Sequence, residues 1–291
     1  MSFVLLALNP GNHYLSFATR DSTNYNKLMA PFNCHLLIAE KIWPTVRAMA
    51  GLSVTYNEIY YGQFCFGCVA TDVDKVSAAL TQKDTHFFDR TGEYERMASH
   101  RSAAFLEQQA EFLCCPFGQL SAEAQAFALG YLCHLCVDEV SKLMWRRDTW
   151  LQFKQVTPGS AFAALDEAAW QRIRNYQAIA EALCSIRVLD IIPRIPLSDL
   201  QHLHQGVCAF TRAKNIEEEY LALVDLFDRP RPEQRQEKLQ RFRAEIDHAR
   251  RQIHIFRIDT LIEAGLTRSR QRLADLIEGR IPPPGLPVLG E

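Results

Sequence analysis

Apolar positions recur along most of the chain at helical rather than alternating spacing, so the elements they predict are helices. Asn33, His35, Leu36, Leu37, Ile38 and Ala39 open one such run. It predicts a helix from Pro31 toward Trp43, with Pro44 kinking or ending it. Residues 51–70 mix aromatics with glycines (Tyr60, Tyr61, Gly62, Phe64, Phe66, Gly67) and suggest a short helix followed by a close-packed loop. Residues 71–90 carry Asp72, Asp74, Asp84, His86 and Asp89 and read as loops around a site. A helix is expected from about Glu93 to Leu113, broken at Cys114-Cys115-Pro116. Ser121 should cap the next helix, with Glu123 in its first turn, and that helix should run to about Arg147. Further helices are expected over 165–188, 198–226, 232–257 and 259–278, with Pro193 and Pro196 marking a boundary.

No internal repeat and no clean two-residue alternation is present, so the fold class is all-α, a multi-helix bundle. The expected organisation is an N-terminal extension over 1–30, whose one signal is the turn Pro10-Gly11-Asn12. A helical core follows over 31–195, then a C-terminal helical region over 196–280 packed on that core. An extended tail, 281–291, begins Ile281-Pro-Pro-Pro-Gly285.

Hydrophobic residues make up 48% of the 291 positions, enough for a substantial core. The net charge of -2 gives no global field toward nucleic acid or an anionic membrane. The first apolar run, Phe3 to Leu8, has no basic approach, so no signal peptide is expected; nor is a transmembrane helix. Nine cysteines are an odd number for a disulfide framework. Cys133, Cys136, Cys184 and Cys208 sit in apolar helical runs, which favours free thiols in a reducing cytoplasm. The segment 229–280 holds 13 Lys and Arg against 8 Asp and Glu, best read as solvated helices with pairs such as Glu237 with Arg241.

The chemistry centres on Ala128 to Glu139. His134 and Asp138, four residues apart, share one helix face and can hold one metal ion together. Gly130, one turn earlier, lets a neighbour approach closely. Such a pair alone is commonly just a satisfied polar pair. The wider set changes its weight: Asp72 after Cys68-Val-Ala-Thr, His86 in Thr85-His-Phe-Phe, and His35 in Asn33-Cys-His each place a ligand type in apolar sequence. Burying such groups without a common partner is costly.

The order His35, Asp72, Thr85-His86 and Gly130-Tyr-x-x-His134-x-x-x-Asp138 resembles the zinc-dependent phospholipase C family, related in fold to P1-type nucleases. The resemblance spans about residues 30 to 150. It implies a first metal site of Asp72, His86, His134 and Asp138, and a second with His35 and bridging Asp138. It also implies a metal-activated water, with Asp72 as both ligand and general base. The family's second site also uses an N-terminal amine; this chain starts Met1-Ser2-Phe3 without the family's Trp. The family's third-site His and Glu residues after the helical Asp have no counterpart, since the next His is His202. One or two zinc ions, or another divalent metal, are therefore expected.

Lys142 and Arg146 follow Asp138 at one-turn steps and could hold an anionic substrate, although cations there also complement the helix dipole. His202 and His204 could supply a distant ligand. Asp148, Asp166 and Glu167 are acidic candidates by position alone. Cys65-x-x-Cys68 and Cys133-x-x-Cys136 are too far apart for a zinc ribbon. No phosphate-binding or dinucleotide glycine loop and no nucleophile elbow occurs. The expected function is a cytoplasmic hydrolase of a phosphoester on a small or carrier-bound substrate, without nucleic-acid partners or stable membrane insertion. The alternatives are an amide or acyl-ester hydrolase or tailoring enzyme, and a non-catalytic helical binding protein.

Overall fold

The computed structural model describes residues 32–49, 58–87, 101–144 and 156–281. Among them the fold is entirely helical, with no strand. The α-helices in chain order are α1 (Phe32–Met49), α2 (Glu58–Ala70), α3 (Gln82–His86), α4 (Arg101–Phe112), α5 (Ala122–Met144) and α6 (Pro158–Trp170). They continue with α7 (Tyr176–Ser185), α8 (Leu197–Thr211), α9 (Ile216–Phe227), α10 (Pro232–Gln252) and α11 (Ile258–Ile277). No described helix is long and apolar enough to cross a membrane. The 1–30 extension and most of the 281–291 tail lie outside the described residues, as do Asp148 and Asp89.

Three sequence expectations need correction. First, α1 does not stop or break at Pro44 but runs to Met49. A proline inside a helix costs about 3 kcal/mol. Here Ile42, Trp43 and Val46 around it are buried, and the Trp43 ring packs on Tyr61 and Phe64 at 5.4 and 5.2 Å. That burial outweighs the missing backbone bond. Second, the glycine-rich stretch after Glu58 is not a loop: α2 is helical through Ala70, with Gly62 and Gly67 inside it. Third, 165–188 and 198–226 are two helices each. Asn175 caps α7 through the Ala178 N–H (3.2 Å), and Asn215 caps α9 through the Glu218 N–H (3.0 Å). Ser121 does cap α5, accepting from the Ala124 N–H at 3.3 Å.

The most extensive packing among the described helices is α2 against α5. The two glycines explain it. A Cβ on Gly67 would collide with the Phe127 carbonyl, and one on Gly130 with the Phe64 carbonyl, so each helix presses backbone onto the other at its own glycine. α11 lies across α5 and also against α1. Phe32 at the start of α1 meets Phe210 of α8 and Phe227 of α9 at 5.6 and 5.9 Å, joining the later helices to the same core.

Candidate metal centre

The glycine-mediated approach of α2 to α5 has a direct polar consequence. It places the Cys68 carbonyl, near the end of α2, 2.8 Å from His134 Nδ1. A carbonyl only accepts, so Nδ1 carries the hydrogen and the Nε2 lone pair is left for the interior. Immediately after α2 the chain tightens into a 3-10 turn over Thr71–Lys75, which carries Asp72 and Asp74. The short α3 follows, opened by a capping box in which Asp84 Oδ2 accepts from the Thr81 N–H at 2.8 Å. His86 is its last residue. Phe87, just beyond, has φ 53°, an unfavourable conformation for a residue with a Cβ. Its ring is held against Phe105 and Phe112 at 5.6 and 5.0 Å, and the Tyr131 hydroxyl donates to the Thr85 carbonyl. The left-handed residue therefore turns the chain sharply at His86 under aromatic restraint.

These elements bring His35 of α1, Asp72, His86, His134 and Asp138 together. Two overlapping sets each place their ligand atoms within 4.8 Å of one another: His35, His134 and Asp138, and Asp72, His86 and His134. Asp138 Oδ1 lies 3.8 Å from the Nε2 atoms of both His35 and His134, and Oδ2 lies 3.8 Å from His86 Nε2. Asp72 Oδ1 lies 3.5 Å from His86 Nε2. Ligands around a tetrahedral zinc ion are about 3.3 Å apart, given bonds of about 2 Å. The observed separations need only small adjustments to fit.

Second contacts fix the rings as well. His86 Nδ1 meets Thr85 Oγ1 at 2.8 Å, and that hydroxyl donates to Asp74 Oδ1 at 3.3 Å, leaving His86 Nε2 to face Asp72 and Asp138. His35 stacks flat on His134, 3.8 Å between centroids and 5° from parallel. His35, Asp72, His86 and His134 are all buried, while the Asp138 side chain is 16% exposed. Solvent thus reaches the cluster on its Asp138 side.

Four buried polar atoms in the cluster have no hydrogen-bond partner: His35 Nδ1 and Nε2, His134 Nε2 and Asp72 Oδ2. Buried polar groups are nearly always satisfied, so a concentration of exceptions calls for an explanation. A divalent cation is the group that three imidazoles and two carboxylates would accept. Burial lowers His35 to about 4, against the pull of Asp138 and Asp72. Burial, with the stacked His35 ring, takes His134 well below its ordinary value. Both rings are therefore neutral at physiological pH, the state that ligates metal. Burial pushes Asp138 up, but Arg101 and the histidines outweigh it and hold it well below the usual carboxylate range. Burial likewise opposes ionisation of Asp72, and Lys75 with His86 overrides it.

Two cations here were missed in the sequence. Lys75 Nζ is 2.5 Å from Asp72 Oδ1, and Arg101 Nη1 bonds Asp138 Oδ2; both cations are buried. Lys75 was legible as Asp72-x-x-Lys75 within one turn. Arg101, 37 positions before its partner, left no signal. Of the anticipated substrate cations, Lys142 is half-buried one turn beyond Asp138, and Arg146 lies outside the described residues.

The other candidates go elsewhere. His204 bonds the Leu183 carbonyl (2.8 Å) and meets the Phe66 ring; neither it nor His202 joins a metal-type group among the described residues. Asp166 accepts from the Asn33 N–H at 2.6 Å, in the first turn of α1, and Glu167 pairs with Arg250. All nine cysteines are free, and burial pushes the thiols of Cys65, Cys68 and Cys136 up, away from the thiolate form a zinc ribbon needs. No family model matches the chain, no curated protein matches its sequence, and no solved structure matches its fold.

Proposed function

We propose that the chain is a metal-dependent hydrolase of phosphoesters, on a helical frame of the zinc-dependent phospholipase C and P1 nuclease type. The observation that carries it is the meeting of His35, Asp72, His86, His134 and Asp138 around four buried polar atoms without partners. Zinc suits the mixed imidazole and carboxylate set, though another divalent ion could serve. Bound there, such an ion supplies a water acidic enough to ionise near neutral pH and polarises the bond to be cleaved.

The chain's own residues divide the remaining work. Cys68 and Thr85 hold the tautomers of His134 and His86. Asp72 offers Oδ2, the oxygen Lys75 does not take, as ligand and proton acceptor. Pairing with Lys75 keeps Asp72 ionised and weakens it as a base, so positioning is its larger contribution. Lys142, one turn beyond Asp138 on α5, and Arg146, four positions later in the sequence, would hold the anion of a small or carrier-bound substrate. The nine free cysteines fit a reducing compartment such as the cytoplasm.

A panel of chromogenic phosphodiesters, phosphomonoesters and acyl esters tests the reaction. Phosphoester turnover that a chelator abolishes and added metal restores is the expected result. Acyl cleavage without phosphoester turnover would overturn it.

A further inference from the structure

We infer that the centre takes a single divalent ion, with Lys75 and Arg101 built in as the cations that exclude a second. This rests on the metal reading above and narrows it.

The first ground is the ligand count. His134 belongs to both candidate sets. Its Nδ1–H is committed to the Cys68 carbonyl, so Nε2 is its only lone pair. A neutral imidazole nitrogen ligates one ion. When His134 serves either set, the other keeps only two of its three groups. Asp138 can bridge through two oxygens, but Arg101 already bonds Oδ2. Likewise Lys75 covers Asp72 Oδ1.

The second ground is charge. Asp72 and Asp138 contribute two negative charges, Lys75 and Arg101 two positive ones, and an imidazole that ligates a metal does so as a neutral ring. Asp74, behind Thr85 and His86, adds at most one negative charge. Among the described residues the empty centre is therefore balanced or singly negative. One divalent ion leaves it one or two charges positive, which a hydroxide and an anionic substrate can neutralise. A second would leave three or four positive charges among side chains that are nearly all buried. Uncompensated buried charge costs several kcal/mol per ion.

Lys75 is fixed for this role rather than merely nearby. Its ammonium is buried between Asp72 and the Phe227 ring, 5.9 Å from the ring centroid, so it cannot swing to solvent without leaving both.

Titration of metal-free protein with Co2+, followed by visible absorption, tests this directly. The signal should rise linearly and saturate at one equivalent, and the Mn2+-loaded protein should show no exchange-coupled EPR spectrum. Saturation at two equivalents would overturn the single-ion inference and leave the metal reading standing. No absorption at any ratio would end both. Lys75→Gln removes one fixed positive charge and should tighten Co2+ binding at least about tenfold against a chromophoric chelator. Unchanged or weaker binding would remove Lys75 from the account.

Discussion

Asp138 and Glu139 are adjacent on α5, yet they face two differently built polar regions. Glu139 is fully buried, and both its oxygens are satisfied: Oε1 accepts from the Ser102 N–H at 2.7 Å and Oε2 from Arg268 Nε at 2.8 Å. Asp138 looks onto histidines whose nitrogens, His35 Nδ1 and Nε2 and His134 Nε2, lack partners. The first arrangement ties α4, α5 and α11 together. The second has the incompleteness expected of a site that awaits something. Because Ser102 follows Arg101, the complete network also holds the start of α4 where Arg101 can reach Asp138. The closed and the open polar regions thus share a backbone and differ in whether their hydrogen bonds close.

The largest effect should come from opening the closed side. Glu139→Gln leaves Arg268 buried beside a neutral partner, and chemical denaturation should show a loss of about 3–5 kcal/mol. A loss below about 1 kcal/mol would mean the two sides do not differ as described.

The open side should behave in the reverse sense. His35→Phe removes two unpartnered nitrogens and keeps a ring to stack on His134. Metal-free stability at pH 7.5 should change by no more than about 1 kcal/mol, while metal binding weakens. Set against this variant, wild-type stability should be pH-dependent. His35 ordinarily titrates near 6.5 and burial lowers it to about 4. Between those values the unfolded chain binds a proton the folded chain refuses, so the contribution is complete above 6.5 and is lost as pH falls toward 4. Metal-free wild type should lose up to about 3 kcal/mol relative to His35→Phe across that window. Groups not coupled to His35, such as Glu219, which burial pushes up to about 8, cancel in the difference. A flat difference would place His35 in a solvated setting.

Smaller again is the effect of a supporting contact. Thr85→Val removes the hydroxyl linking His86 Nδ1 to Asp74 and should weaken metal affinity about 10–100-fold with the fold intact. Unaltered affinity would mean that the ring is held by packing alone.

What the sequence revealed divides along the same line. The five ligand types were legible because imidazoles and carboxylates are conspicuous in apolar surroundings, and because His134 and Asp138 keep helical spacing. All-helical architecture was legible from periodicity. The closing contacts were not. Arg268 lies 129 positions from Glu139, and charged residues are too common on helix surfaces for sequence to mark the one that turns inward. Gly62 and Gly67 suggested a loop because glycine's usual signal is conformational freedom; here it is the absent side chain at a helix crossing. Pro44 suggested a stop because the burial of Ile42 and Val46 that carries the helix past it is a tertiary effect.

The central claim is that His134 ligates a metal ion. Wild type and His134→Ala, purified side by side, should be compared by elemental analysis and by melting with and without chelator. Wild type should carry a divalent ion whose removal lowers Tm; His134→Ala should carry none and melt the same with chelator or without. A wild type with no metal, or a variant that retains it in equal amount, would contradict the account.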